Sequence, residues 1–402
     1  MSPRRRVSLR ERARHDRRGV AILLVVATLM FLTVLVTDIT YGSRVRYLTA
    51  VHEREEAQAY WLAVTGVNTY RLILKASKDL EKSGFADQLS SLGLSGDSLW
   101  QTIPAISSGL LRMFAGSGEP SEDDLESFAA SGEVDEETRE ESRESGGTRF
   151  GGRNFLDFDG DFNAEVRGED CRINLAALGK IQSGANVQES AVGLQLYGLL
   201  SGEDNEQFLR DRNLERWDLV YNVLDWVDAD NTVASGKGGY EDDFYNTLDS
   251  PYLSKNAPFD TPSELRLVQG WQDAVYDRFA EQLTIFGSGK INIACADDTT
   301  LSALLRAYAT RSYSDDELSR ILSDMHGYTS LAAFKDANDF ITWLKNSAGY
   351  EPRSDMASAI TTTTKVFTIT STGVVGDATA TITVVLDYST STQGSITYWR
   401  VD

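Results

Sequence analysis

The chain runs to 402 residues, with 41% hydrophobic and 25% charged side chains and a formal net charge of −21. That length admits one lipid-embedded helix plus one or two ordinary domains. The charge disfavours nucleic acid and anionic lipid as partners of the body and favours divalent cations. The acidity is uneven: the first eighteen residues hold eight arginines against Glu11 and Asp16, a net +6, which leaves −27 for the remainder. Cysteine occurs twice, at Cys171 and Cys295, which fits one disulfide in an oxidising compartment or two unreactive thiols.

Behind Arg17-Arg18-Gly19 comes an uncharged run, Val20 to Thr37. Eighteen residues is about the minimum for crossing roughly 30 Å of hydrocarbon. With basic residues on one side only, the leader is expected in the cytoplasm and the body outside. A secretory signal would want a small-residue cleavage site after its apolar core, and Val36-Thr37-Asp38-Ile39-Thr40-Tyr41 offers none. Basic leader, glycine and apolar run together resemble the class III signal of type IV pilins and type II secretion pseudopilins. The resemblance implies cleavage between Gly19 and Val20 by a prepilin peptidase; an uncut membrane anchor is the alternative.

From Val20 the helical pattern continues without proline to about Lys75, turning amphipathic after Asp38 with Val45, Leu48, Val51, Tyr60, Val64, Val67 and Leu72. Residues 116–152 carry twelve acids between Glu119 and Glu144, a composition expected of a solvated, disordered loop. Asn154–Phe158 and Asp161–Val166, around Asp159-Gly160, predict a hairpin. Helical periodicity then fills about 176–350 and contains a diverged repeat. Arg172-Ile173-Asn174-Leu175-Ala176 is echoed by Lys290-Ile291-Asn292-Ile293-Ala294, and Phe259 to Leu265 by Phe334 to Phe340. The end of the chain turns to strands at Lys365–Val375, Ala378–Leu386 and Ser395–Val401, rich in Thr and Val and expected as a meander with one face on a helix.

Several segments in this order resemble the K-type minor pseudopilin of the type II (general) secretion system. They are Gly19-Val20-Ala21, Ala57-Gln58-Ala59-Tyr60-Trp61, Arg172-Ile173-Asn174-Leu175, Leu224-Asp225-Trp226-Val227-Asp228-Ala229-Asp230, Tyr240 to Tyr245, Pro258-Phe259-Asp260, Lys290 to Ala294, and Tyr398-Trp399-Arg400. The resemblance implies an α+β fold: a long N-terminal helix packed on a small antiparallel sheet, with a large all-helical domain inserted. The expected parts are a cleaved leader at 1–19, the long helix at 20–78 (in the membrane at about 20–37), the first part of the head at 79–175, the helical insert at 176–360 and closing strands at 361–402. The implied function is non-enzymatic. A subunit at the tip of the periplasmic pseudopilus would initiate or cap assembly for export of folded proteins across the outer membrane. Its partners would be the I- and J-type minor pseudopilins, the major pseudopilin, the prepilin peptidase and inner-membrane lipid. A minor pilin of a type IV pilus-like system, or a membrane-anchored calcium-binding or adhesive protein, is the alternative. The fifth residue after the cleavage point is Leu24, where most pilins carry glutamate to pair with a neighbour's N-terminus. Leucine there resembles the K type and fits a subunit with no neighbour above it.

Asp225, Asp228, Asp230, Glu241, Asp242, Asp243 and Asp249 crowd one stretch around Gly236, Gly238 and Gly239. Many oxygens on a flexible loop suit calcium, though the spacing matches no EF-hand and a solvated acidic loop is the plain alternative. The resemblance to K-type pseudopilins favours calcium. Asp157-Phe158-Asp159-Gly160-Asp161 opens like an EF-hand loop, but its twelfth position is Gly168, which favours the hairpin. Should the echoing segments pair antiparallel with Ile173 opposite Ile293, Cys171 and Cys295 would face one another; parallel pairing would separate them. Phe259–Ala294 resembles a helix-hairpin-helix, yet Asp260, Glu264, Asp273, Asp277, Glu281, Asp297 and Asp298 surround it and oppose phosphate. Three histidines (His15, His52, His326), none near a cysteine or a plausible serine nucleophile, and no glycine-rich phosphate loop leave little basis for an enzyme.

Overall fold

The computed structural model describes residues 9–82, 99–102, 105–115, 149–150, 153–154, 159–181, 186–330 and 333–402. The first eight leader residues, most of the acidic loop (116–148) and Phe155–Phe158 lie outside them. Helix α1, Leu9–Lys82, runs unbroken through the leader junction and past the expected end. Its apolar run has a mean hydropathy of 2.8 and is wholly uncovered by the rest of the chain. The threonines there satisfy themselves: Thr33, Thr37 and Thr40 donate to the carbonyls of Leu29, Thr33 and Val36 at 2.7–2.8 Å. Such back-bonding leaves no hydroxyl unpaired in hydrocarbon.

Beyond Glu56 the helix gains a buried face, with Ala59, Ala63, Val67, Tyr70 and Leu74 recurring every three or four residues. That face rests on a five-stranded antiparallel sheet in simple order: β1 (Ala105–Ser107), β2 (Asp161–Gly168), β3 (Val366–Val375), β4 (Ala378–Asp387) and β5 (Ser395–Val401). Small residues let the two layers meet closely. A Cβ on Gly373 would stand 2.1 Å from the Ala59 carbonyl oxygen, and one on Gly66 2.3 Å from Ser371 Oγ. Most of the first arm expected of the hairpin around Asp159-Gly160, Phe155–Phe158, lies outside the described residues. β1 and β3 occupy both edges of β2, while residues 153–154 pair with 149–150 instead. The three C-terminal strands fall where alternation of Thr and Val predicts them.

Between Gly168 and Phe367, which face each other across β2 and β3, the chain departs into a helical region with its own core from Ile173 to Ile360. The echoing segments mark two copies of one arrangement. In the first, Ile173–Asn174 opens the copy and pairs parallel with Leu283–Thr284, which closes it; in the second, Ile291–Asn292 pairs parallel with Ile360–Thr361. Asn174 Oδ1 accepts the Ala176 N–H and Asn292 Oδ1 the Ala294 N–H. Thr284 Oγ1 accepts from Phe286 N–H and Thr361 Oγ1 from Thr363 N–H. The second landmark repeats equally well: Glu264 reaches back to the N–H of Asp260, and Asp339 to that of Lys335.

Helices α2 (Ala191–Leu199) and α3 (Arg216–Val227) lie in the first copy, α4 (Asp298–Ala307) and α5 (Asp315–Thr329) in the second; α6 (Ala337–Asn346) follows α5. α2 crosses α4 so closely that a Cβ on Gly198 would lie 2.2 Å from the Ala303 carbonyl oxygen. The echoing segments therefore do not pair with each other, and antiparallel pairing of Ile173 with Ile293 is incorrect. A disulfide nonetheless joins Cys171 to Cys295, Cα to Cα 5.3 Å, because both turns meet at the junction with the sheet. Two buried acids fasten that junction: Glu169 accepts from Arg172, Thr284 and Thr368, and Asp170 from Ser288 and the Lys365 N–H.

Candidate metal centre

The end of α3 carries Asp225-Trp226-Val227-Asp228. The chain then leaves through a glycine-rich loop that returns by a Thr232–Tyr240 bridge to deliver Glu241. Gly236, Gly238 and Gly239 adopt φ of 69°, 77° and 107°, the left-handed region that glycine enters without strain. The loop thereby brings one carboxylate oxygen from each of Asp225, Asp228 and Glu241 within 4.8 Å of one another. Asp225 and Glu241 are 6% and 5% exposed. Beside them Trp226 meets Tyr245 and Tyr252 edge to face, and the two tyrosines are tilted by 33° to each other, with centroids 5.2–6.2 Å apart.

Three carboxylates in so dry a place repel one another. Burial, aided by Asp228 and Asp230 and opposed by the Ala234 N–H, pushes Asp225 up to about 7. Burial and Asp230 raise Asp228 to about 6, and burial with Asp228 and Asp225 raises Glu241 to about 8. The Ser254 side chain approaches Glu241 and partly offsets its rise, yet among the described residues no hydrogen bond of ordinary geometry reaches either Glu241 carboxylate oxygen or Asp228 Oδ1. Buried polar atoms are normally satisfied, so the cluster has the form of a coordination shell for a hard, oxygen-seeking cation.

Of the residues expected as ligands, Asp230 turns its Oδ1 to the Thr232 N–H at 2.9 Å, while its charge still acts on the three. Asp242 and Asp243 do not join them. Asp242 Oδ1 accepts from Ser254 N–H at 2.8 Å, and Asp243 Oδ2 accepts from Tyr240 N–H at 2.9 Å, both bracing the loop. Asp249 is exposed. Sequence reading missed Asn256. Its φ of 48° is one of two positive values outside glycine, its amide donates to the Asp230 carbonyl at 3.0 Å, and its buried Oδ1 is unpartnered. An amide this close downstream of an acidic loop is the signal that was available. Elsewhere, Arg266 in the helix-hairpin-helix-like segment is neutralised by Asp273 and Asp277. His326 pairs with Asp298 at 2.7 Å on the surface.

Residues 171–288, which contain this whole centre, match the family described as type II secretion system (T2SS), protein K. The apolar N-terminal helix suits a single-pass membrane anchor. A solved structure similar to this chain is that of the GspK-GspI-GspJ complex from the enterotoxigenic Escherichia coli type 2 secretion system. The two share 17% identity with a TM-score of 0.46, over 64% of this chain and 84% of that one. No curated protein matches the chain.

Proposed function

We propose that this chain is a minor pseudopilin of type II secretion and the tip subunit of a periplasmic pseudopilus, held in the inner membrane by α1 until assembly and initiating or capping the filament. The observation that carries this reading is the protein K match over 171–288, lying on a head carried by a helix whose first part nothing in the chain covers. Cleavage between Gly19 and Val20 by the prepilin peptidase, with N-methylation of Val20, would free the apolar run to pack with partner helices. The I- and J-type minor pseudopilins are the proposed neighbours beside it, and the major pseudopilin lies below. Leu24 supports the tip position, since an unpaired carboxylate in its place would cost on the order of 3 kcal/mol in lipid. So does the bulk of the helical insert, which would crowd identical subunits stacked along a thin filament.

Calcium is the proposed ligand of Asp225, Asp228 and Glu241, with Asp230 and Asn256 as supporting oxygens. Bound there, it would neutralise carboxylates that otherwise repel and fix the loop between α3 and Glu241. The test of the assignment is intact-mass measurement from cells with and without the peptidase, paired with immunolabelling of isolated pseudopili. A mature chain beginning at Val20 and label at filament ends are expected. A chain still beginning at Met1, or label along the whole filament, refutes processing or tip placement respectively.

A further inference from the structure

The two copies of the insert leave an open cleft of about 670 Å³ between them, within the range that ordinary ligands occupy. Its floor is one side of α4, where Asp298, Ser302 and Arg306 recur every four residues, and α5 supplies one wall with Asp315, Ser323 and His326. The first copy supplies the other wall through Asn205 and Arg278, carried on the short helices Glu203–Arg210 and Asp273–Phe279. None of the three clustered carboxylates described above lies in this lining.

Two cations of the cleft are matched and one is not. Arg306 donates to Asp315 at 2.8 Å, and Asp315 also accepts the Glu203 N–H at 3.0 Å. His326 pairs with Asp298 at 2.7 Å. Arg278 has no acid among the described residues. Its Nε donates to Asn205 Oδ1 at 2.9 Å, and Asn205 is itself tied to the carbonyls of Leu199 and Ser201. The guanidinium also lies 4.7 Å from the centre of the Phe208 ring. Arg278 is thus held in place while its two terminal nitrogens bond to no described residue. That is unusual in so acidic a region, where Arg210, Arg216, Arg266, Arg306, Arg311 and Arg353 all find carboxylates. Among the described residues from 173 to 360, the other exceptions are Arg212, on the same Phe208 ring, and the exposed Arg320. A fork fixed in advance loses little freedom when its anion arrives.

The lining decides which anion fits. A guanidinium fork matches a carboxylate with two parallel hydrogen bonds. Asp298, Asp315 and the exposed Asp204 share the cleft and oppose a ligand of higher charge, such as a phosphate dianion or a nucleic-acid backbone. The hydroxyls of Thr299, Ser302 and Ser323 bond to no described residue, and hydroxyls both donate to and accept from peptide groups. Phe279, the one apolar ring of the lining, is 2% exposed and offers no face to a sugar. We propose that this cleft binds an extended peptide segment of a partner protein bearing one Asp or Glu side chain. Its carboxylate takes the two terminal nitrogens of Arg278, and its backbone lies along the hydroxyls of α4 and α5. The proposal stands on the cleft and does not depend on the pseudopilin reading.

The experiment follows the fluorescence polarisation of a labelled, end-blocked peptide, Gly-Ala-Glu-Ala-Gly, titrated with the full-length chain in detergent micelles. Saturable binding is expected, and exchanging the peptide's Glu for Gln should weaken it at least about tenfold, as loss of a charge-assisted pair implies. Arg278→Ala and Arg278→Lys should each do the same with an unchanged melting temperature, since lysine cannot form the fork. Arg320→Ala removes an equal charge outside the cleft and should change nothing. Ser302→Tyr fills the floor without altering any charge and should abolish binding, which keeps the test decisive even where the Arg278 variants melt early. Equal affinity for the Glu and Gln peptides, an equal loss in Arg320→Ala, or no binding at millimolar peptide overturns the proposal. So does tighter binding of a Gln peptide with a free C-terminus, which marks a receptor for chain ends, or displacement by equimolar inorganic phosphate, which marks a simple anion site.

Discussion

Replacing Asp225 by Asn should change the stability of the head in opposite directions with and without calcium. Asn retains an oxygen for the Ala234 N–H, bonded at 2.8 Å, and removes one of three converging charges. In the metal-free fold all three carboxyls are raised, so folding favours their protonated forms. Stability is then greatest below the ordinary carboxylate range and falls as pH climbs from about 4 through 8, levelling off above. A rise from 3.8 to about 7 makes ionised Asp225 cost on the order of 4 kcal/mol at pH 7.5, a sizeable part of a typical domain stability of about 5–15 kcal/mol. Removing that charge should stabilise metal-free protein by on the order of 2 kcal/mol, or roughly 4–8 °C in melting temperature. Calcium at a hundredfold excess over its Kd adds about 2.7 kcal/mol to the wild type and little to the variant. The assay is thermal melting of a soluble head, from about residue 45 onward, across pH 5 to 8 with chelator or with millimolar calcium. Metal-free melting that rises with pH, or an Asn variant weakened equally in both conditions, would refute the reasoning.

Converting Cys171 and Cys295 together to Ser opens a link spanning 124 residues and should cost about 5 kcal/mol in the chain-entropy model, read from the denaturant midpoint. Gly373→Ala forces a methyl group onto the Ala59 carbonyl; a loss of about 1–3 kcal/mol is expected, and unchanged melting would show that α1 shifts freely on the sheet. Leu24→Glu should leave folding intact and mildly perturb assembly, measured as recovery of pseudopili; a melting change without an assembly change would contradict a role confined to the filament.

The C-terminal strands were legible almost to the residue because Thr and Val alternate and Gly376-Asp377 marks the turn between β3 and β4. The long helix was legible from an apolar run passing into an amphipathic one. The repeat was legible because Asn174 and Asn292 each make the same local hydrogen bond. What pairs with Ile173 and Ile291 was not, since a two-residue parallel ladder has no periodicity and its partner lies far along the chain. The acidic stretch gave the location of the three-carboxylate cluster without its members. Whether Asp242 faces Glu241 or Ser254 depends on the course of the loop, and composition is blind to that. The second arm expected beside Asp159-Gly160 is β2, whose partner along its whole length, β3, lies roughly 200 residues further on, beyond the reach of a local turn signal.

From the viewpoint of the sheet, β2 and β3 form a hairpin whose turn is roughly 200 residues long, because Gly168 faces Phe367 across the ladder. Closing a floppy loop of that length instead of a four-residue turn costs about 3.5 kcal/mol more in chain entropy. The insert lowers that cost only once its two parallel clasps have drawn its own ends together. Folding is thus ordered from the inside outward, with the helical copies maturing before the central strands zip. A chain made from its N-terminus presents α1 and β2 long before β3 exists. Until then β2 has one vacant edge and the lower face of α1 has no sheet to cover it. That half-built interval is when the protein is most exposed to aggregation, and when a chaperone or an early-arriving companion would do most to protect it.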